Sequence, residues 1–251
     1  MTENQLLSLL QAGSGGRISA FKPGQWEAIA DVLAGGAPTL LVERTGWGKS
    51  LVYFSATLAL RRQGAGPTLL VSPLLSLMRD QMRAAEGLGL RAATINSENE
   101  DQWSAVAAAL AADRIDILLV SPEKLASEGF LGRYLASALK RIELFVVDEA
   151  HCISDWGHDF RPDYQRIRRL LADRLPAGVA VLATTATAND RVVADVQAQL
   201  GEATRVIRGP LARDTLCLQT IRLPSRAHRY AWLAEHLAEL PGSGIVYALT
   251  R

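Results

Sequence analysis

The stretch ERTGWGKS, Glu43 to Ser50, decides how the rest of the chain is read. It closes in Gly48-Lys49-Ser50, as a phosphate-binding loop does, yet Glu43 stands where the full G-x-x-x-x-G-K-[ST] pattern has glycine. TLLVE (39–43) before the loop is apolar and strand-like, and LVYFSATLALRR (51–62) after it has the length and composition of a helix. The loop therefore has the strand-to-helix setting that phosphate binding requires. Successive backbone N–H groups in such a loop, helped by the positive end of the helix, cradle phosphate. Glycine is needed at Gly46 and Gly48, where the backbone must approach the ligand. Lys49 would reach the β and γ phosphates, and the Ser50 hydroxyl would hold Mg²⁺. Only a peptide N–H is needed at position 47, so the Trp47 side chain is expected to point outward. A chance glycine-rich turn is the alternative on this stretch alone.

The apolar pattern of residues 39–43 recurs along the chain. TLLVS (68–72), RAATI (91–95), DILLVS (116–121), ELFVVD (143–148) and VAVLATT (179–185) are mostly continuous rather than alternating, as in strands covered on both faces. Helical stretches such as DQWSAVAAALAA (101–112) lie between them. This order predicts an α/β fold, a mainly parallel sheet with helices on both faces. Residues 1–20 read as an amphipathic helix and a short flexible joint at Gly13 to Gly16, and residues 21–224 as one nucleotide-binding domain. Beyond TRVIRG (204–209), an extended segment leads to a helix around Arg226 to Leu240 and a fresh strand, IVYAL (245–249). Residues 225–251 are therefore expected to open a second domain, with the chain the N-terminal part of a longer protein.

Composition narrows the function. Of 251 residues, 49% are hydrophobic, enough for a sizeable core, and 27 basic residues nearly cancel 26 acidic ones. Any nucleic-acid contact must come from local placement of charge rather than from a global field. Cys152 and Cys217 are too few for a metal cluster or a disulfide scaffold, which fits a reducing compartment. The chain has no run of eighteen apolar residues and no cationic leader, so a cytoplasmic protein without membrane contact is expected.

A nucleotide site needs an acid at the end of a neighbouring strand. ELFVVD delivers Asp148 there, followed by Glu149, Ala150 and His151. Asp148 is placed to hold Mg²⁺ through its water shell, and Glu149 to orient or deprotonate the attacking water. Two adjacent carboxylates alone are a weak signal; after a buried strand and together with GKS they point to NTP hydrolysis. The loop that follows, CISDWGHDFRPDY (152–164), gathers aromatic and charged residues. Trp156, Phe160 and Tyr164 either pack it onto the sheet or, with Arg161, stack and pair with single-stranded nucleic acid.

Here the sequence resembles a family. DEAHCISDWGHDFRPDY is similar to a signature of the RecQ-like branch of superfamily 2 DNA helicases, and further motifs follow in the family's order from about residue 21 to 251. FKPGQWEAI (21–29) resembles the adenine-recognition motif, RTGWGKS motif I and VSPLLSLMRDQM (71–82) motif Ia. INSENE (95–100) and VSPEKL (120–125) match further segments, ATTATA (183–188) resembles motif III and GIVYALTR (244–251) motif IV. The resemblance implies a RecA-like P-loop NTPase fold and an ATP-dependent, 3′-to-5′ DNA-unwinding activity in repair or recombination. Its cofactors would be ATP and Mg²⁺, its partner single-stranded DNA and duplex with a single-stranded tail. It gives Phe21, Lys22, Gln25 and the loop Thr45, Gly46, Trp47, Gly48, Lys49 and Ser50 to the nucleotide. Lys49, Asp148 and Glu149 take the chemistry, and Ser50 and Asp148 the metal. His151, Trp156, His158, Phe160, Arg161, Tyr164, Thr185 and Thr187 fall to DNA binding and to its coupling with ATP.

Some positions depart from that pattern. The family usually has glycine at Trp47 and a small or apolar residue at Glu43, which is expected to pair with Arg44 or a lysine across the cleft. Only Ile18 stands where the family has an adenine-stacking aromatic, Lys22 replaces the usual arginine, and Asp155 replaces a neutral residue. Residues 1–251 alone would lack the second domain's arginines and are expected to be nearly inert. An RNA-stimulated ATPase, and a nucleotide- and DNA-binding module without productive turnover, are the competing readings. Trp103, Trp232, Met78 and Met82 read as packing residues, Cys152 as a buried thiol, and Arg79 and Lys124 as backbone contacts or solvated charge.

Overall fold

The computed structural model describes residues 1–154, 162–211 and 216–247. The chain divides into two compact units, Met1–Ala212 and Arg213–Arg251. In the first, seven strands form one sheet: β1 (Thr39–Val42), β2 (Thr68–Val71), β3 (Ala92–Ile95), β4 (Ile117–Val120), β5 (Leu144–Val147), β6 (Ala180–Thr185) and β7 (Arg205–Arg208). The order across the sheet is β3-β4-β2-β5-β6-β1-β7, and every pairing is parallel. The six apolar runs singled out in the sequence are six of these strands, and residues 205–208 add the seventh. This is the parallel α/β architecture that the continuous runs predict.

Helices cover both faces. On one lie α1 (Glu3–Gly13), α2 (Gln25–Ala34), α3 (Lys49–Arg62) and α4 (Leu75–Glu86), whose Leu6, Leu10, Ile29, Val52 and Met78 pack with Leu41, Leu70, Leu119, Val146 and Leu182 of the strands. On the other lie α5 (Trp103–Ala111), the short α6 (Pro122–Leu125), α7 (Glu128–Phe130) and α8 (Ala136–Leu139), then α9 (Ile167–Asp173) and α10 (Asp190–Leu200). That layer packs against the alternate strand residues, Leu40, Val42, Leu69, Val71, Phe145 and Val147. Strand residues thus alternate between two apolar cores, which is why the sequence reads as unbroken hydrophobic runs. The amino ends of the strands are tied by Asp116, which accepts from Arg61 Nε at 2.8 Å and from the Arg91 guanidinium at 2.6 Å. Those arginines hold its carboxyl at about 2 despite its burial.

Two expectations change. The Gly13 to Gly16 stretch is held rather than loose: Gly13 lies against the Leu88 backbone, and the Ile18 N–H donates to Ser14 Oγ at 3.1 Å. In the second unit, α11 (Arg226–His236) forms as expected. The described part of the expected IVYAL strand, 245–247, is not a strand. A strand is defined by its hydrogen-bonded neighbour, and no described segment pairs with it. Among the described residues no helix is long and apolar enough to cross a membrane.

Candidate functional site

Parallel topology brings the carboxyl ends of β1, β5 and β6 together, the usual crevice for ligands in such sheets. Because β6 lies between β5 and β1, its terminal threonines separate the loop of Lys49 from the acids of residues 148 and 149. Gly46 and Gly48 have φ of 84° and 103°, a region that glycine enters without cost. A β-carbon on Gly48 would also come within 2.6 Å of Gln25 Nε2. Lys49 and Ser50 follow in the first turn of α3, where free backbone N–H groups and the helix dipole favour an anion. Thr45 and Gly46 are exposed.

The adenine-motif residues hold the loop from one side. Gln25, on α2, accepts from the Lys22 N–H at 2.8 Å and donates to the Trp47 carbonyl at 3.1 Å. Lys22 Nζ donates to the Gly46 carbonyl at 2.8 Å. Phe21 stacks near Trp26, ring centroids 6.2 Å apart. Trp47 corrects an expectation: its indole is buried, facing Gly24 and packed with the α1–α4 layer rather than turned outward. Burial of so large an apolar ring outweighs the freedom that the loop allows it. Lys49 Nζ donates to the carbonyls of Glu43 at 2.7 Å and Arg44 at 3.4 Å.

On the far side, Asp148 and Glu149 leave the end of β5. Asp148 is buried and accepts from Gln81 Nε2 at 2.6 Å, from the Glu149 N–H at 3.1 Å and from Thr184 Oγ1. Burial pushes its carboxyl up to about 6, against the Thr184 hydrogen bond and with the help of the Glu149 charge. Gln81 Nε2 also donates to Tyr53 OH at 3.1 Å, and Tyr53 is hydrogen-bonded to Ser50. A continuous polar chain thus runs from Ser50 through Tyr53 and Gln81 to Asp148. Glu149 has φ of 50°, a left-handed conformation uncommon outside glycine and frequent at functional sites. Its Oε2 lies 3.2 Å from His151 Nδ1, which also meets Thr185 Oγ1 at 3.2 Å. The Cys152 sulfur and then Glu149 draw His151 up to about 10. Thr185 Oγ1 in turn donates to the Thr187 carbonyl at 3.0 Å.

The structure therefore gathers Lys49, Ser50, Asp148, Glu149, His151 and Thr185 around one crevice, with Gln25 bonded to its loop. Tyr164 corrects the reading of its ring as a DNA-stacking surface. It is fully buried, and its hydroxyl donates to the Asp148 carbonyl at 3.1 Å. Trp156, His158, Phe160 and Arg161 lie outside the described residues, as does Asp155. Gln81, Tyr53 and Thr184 were not singled out from sequence. Gln81 carried a signal, being the one polar position on the buried stripe of α4. Arg79 pairs with Glu98, and Lys124 with Glu100 at 3.3 Å while lying over the Trp103 ring.

Glycine-lined loop, helix N-terminus and opposed acids fit a nucleotide polyphosphate with a divalent cation, and with the seven-stranded sheet they define a P-loop domain of RecA-like fold. The model of the family "DEAD/DEAH box helicase" matches residues 22–196, and the chain belongs to that family. It is 38% identical over 240 residues to the "Probable ATP-dependent DNA helicase RecS" of Bacillus subtilis, covering 93% of this chain and 45% of that protein. It is 34% identical over 237 residues to the "ATP-dependent DNA helicase RecQ" of the same organism (92% and 38%). Against human "ATP-dependent DNA helicase Q4" it is 41% identical over 186 residues (73% and 15%). These names bear out the RecQ resemblance, and the chain spans less than half the length of each. Among solved structures, the DUF1998 helicase MrfA aligns with a TM-score of 0.70 at 20% identity, covering 97% of this chain and 38% of MrfA. The DEAD-box helicase Mss116, bound to ssRNA and UDP-BeF, aligns at 0.65 and 16% identity (85% and 47%). Both likenesses concern the fold.

Proposed function

We propose that the chain supplies the first motor domain of a RecQ-type, ATP-dependent DNA helicase. One observation carries the reading: Ser50, beside Lys49 on one side of the crevice, is linked through Tyr53 and Gln81 to Asp148, beside Glu149 on the other. Gln25 would read the base edge, and the N–H groups of Thr45 to Ser50 would hold the phosphates. Ser50 and Asp148 would hold Mg²⁺, which when bound neutralises charge on the phosphate oxygens. Glu149 would orient the attacking water and accept its proton. His151, lying between Glu149 and Thr185, suits a residue that links the water-activating acid to the segment preceding Thr187. Coupling to DNA would run through it and the loop of Trp156, His158, Phe160 and Arg161.

On this reading the motor works in the cytoplasm, moves 3′ to 5′, and acts on single-stranded DNA or duplex with a single-stranded tail. Residues 21–224 form the first RecA-like domain and 225–251 open the second. Supporting that division, Tyr230, Ile245 and Tyr247 expose apolar surface that a finished domain would pack. A polypeptide of residues 1–251 is expected to bind ATP weakly at best and to unwind nothing, since an arginine supplied in trans contributes ~10³ or more in rate. The test is ATP turnover by the protein that carries this domain, with matched DNA or RNA strands, alongside Lys49→Ala and Trp156→Ala. Stimulation by DNA, abolished by the first and uncoupled by the second, is expected. Equal stimulation by RNA would overturn the DNA reading, and no turnover under any condition would overturn the motor.

A further inference from the structure

Glu43 has no part in the chemistry above, yet its carboxyl is built into the floor of the loop. Its N–H donates to the Thr185 carbonyl at 3.1 Å, which continues the pairing of β1 with β6 one residue past the strand. Alternation then puts its side chain on the side of Leu41, the face covered by α3. On the other flank Leu41 pairs with Ile207, so the cross-strand neighbour of Glu43 is Gly209. That neighbour lacks a side chain, and the Glu43 carboxyl occupies the place: a β-carbon on Gly209 would overlap it. Among the described residues the expected ion pair does not form: no Arg or Lys nitrogen there bridges the carboxyl, and Glu43 is 5% exposed with Oε2 lacking a hydrogen-bond partner among them. Leaving a buried acceptor unmet costs ~1–3 kcal/mol. Burial raises its carboxyl above the ordinary carboxylate range, and the charges of Lys49 and then Arg44 pull against that shift. Lys49 is also the group whose ammonium rests on the carbonyls of residues 43 and 44.

We propose that Glu43 is a positioning residue for Lys49: its buried carboxylate draws the lysine to the base of the loop, so that it competes with the nucleotide's terminal phosphates for the same cation. This rests on the nucleotide reading of the loop and adds what that reading leaves out, a built-in anion that sets phosphate affinity. The competition concerns the groups that Lys49 reaches, the β and γ phosphates. Glu43 therefore weakens ATP and ADP and leaves AMP, whose single phosphate lies beyond Lys49, unaffected.

The experiment is a calorimetric titration of the chain with Mg²⁺ and ATP, ADP or AMP, on wild type, Glu43→Gln, Glu43→Met and Lys49→Ala. Glutamine keeps the shape and removes the charge; methionine removes the polar group, so one survives if the other disturbs folding. Either is expected to tighten ATP and ADP about tenfold, which is about 1.4 kcal/mol, with AMP unchanged. Unchanged or weaker ATP binding, or an equal gain for AMP, would overturn the proposal, because a purely structural role does not distinguish the nucleotides. Failure of wild type to bind ATP, or retention of full affinity by Lys49→Ala, would instead sink the nucleotide reading of the loop.

Discussion

Replacing Asp148 by asparagine should make the protein more stable at neutral pH while removing the acid proposed to hold the metal. Burial is the reason: it sets the carboxyl at about 6 against an ordinary 3.8. A gap of about two pH units corresponds to about 3 kcal/mol between the charged and protonated forms. The sign follows from linkage. The folded state binds this proton more tightly than the unfolded chain does. Its contribution is therefore complete below about 3.8 and is lost as pH rises through about 6. Asparagine resembles the protonated acid at every pH, so the stability of Asp148→Asn relative to wild type should climb by about 3 kcal/mol between pH 3.8 and 7. The local geometry can absorb the change. Thr184 Oγ1 can still donate to the amide oxygen, and Gln81, whose Oε1 has no partner among the described residues, can turn over to accept from the new amide. That rearrangement contributes equally at all pH values. Urea unfolding of both proteins at four pH values from 4 to 7, with chelator to remove metal, measures the difference. A gap of constant size across that range would refute the reasoning, whatever the absolute stabilities.

Three further outcomes follow from the same geometry. Trp47→Ala should cost ~3–5 kcal/mol, because a buried indole leaves a cavity behind; a loss under about 1 kcal/mol in urea unfolding would return the ring to solvent. Tyr164→Phe should lose about 1 kcal/mol for the hydrogen bond to the Asp148 carbonyl, and DNA affinity measured by anisotropy should not change, since the ring is buried. His151→Ala should leave ATP affinity near wild type and cut stimulation by DNA about tenfold, the scale of an ordinary coupling energy; unchanged stimulation in a turnover assay would remove it from the coupling path.

The sheet was legible because parallel strands buried on both faces need apolar residues at every position, and Leu40, Leu69 and Leu118 share strands with neighbours facing the opposite core. Lys49, Ser50, Asp148 and Glu149 were legible because each sits at a strand end or helix start, where topology alone fixes the location. Side-chain direction was less so. Whether Trp47 faces water depends on Gly24, which leaves room beside the ring, and nothing local to the loop reveals that contact. Tyr164 lies in a loop whose aromatic content suits stacking or packing equally, and its burial is decided by the Asp148 carbonyl it reaches.

Glu43 shows what kind of information a single stretch withholds. The strand pattern ending in it suggests that its side chain continues the alternation of β1, which would bury it, while its charge argues for solvent or a salt bridge. Charge is the stronger prior for an isolated residue, since burying an unpaired carboxylate is costly. The alternation prevails here because Gly209, brought alongside by β7, offers the volume of a missing side chain, and because the Lys49 and Arg44 charges lower the cost of keeping an acid there. Neither condition can be read from ERTGWGKS. The first is a property of a strand far along the chain, and the second depends on where the lysine rests. A substitution at Gly209 should consequently report on the loop: Gly209→Ala must push the Glu43 carboxyl out of its place. If that carboxyl governs Lys49, ATP affinity will change with it, although Gly209 itself lies outside the residues assigned to the nucleotide.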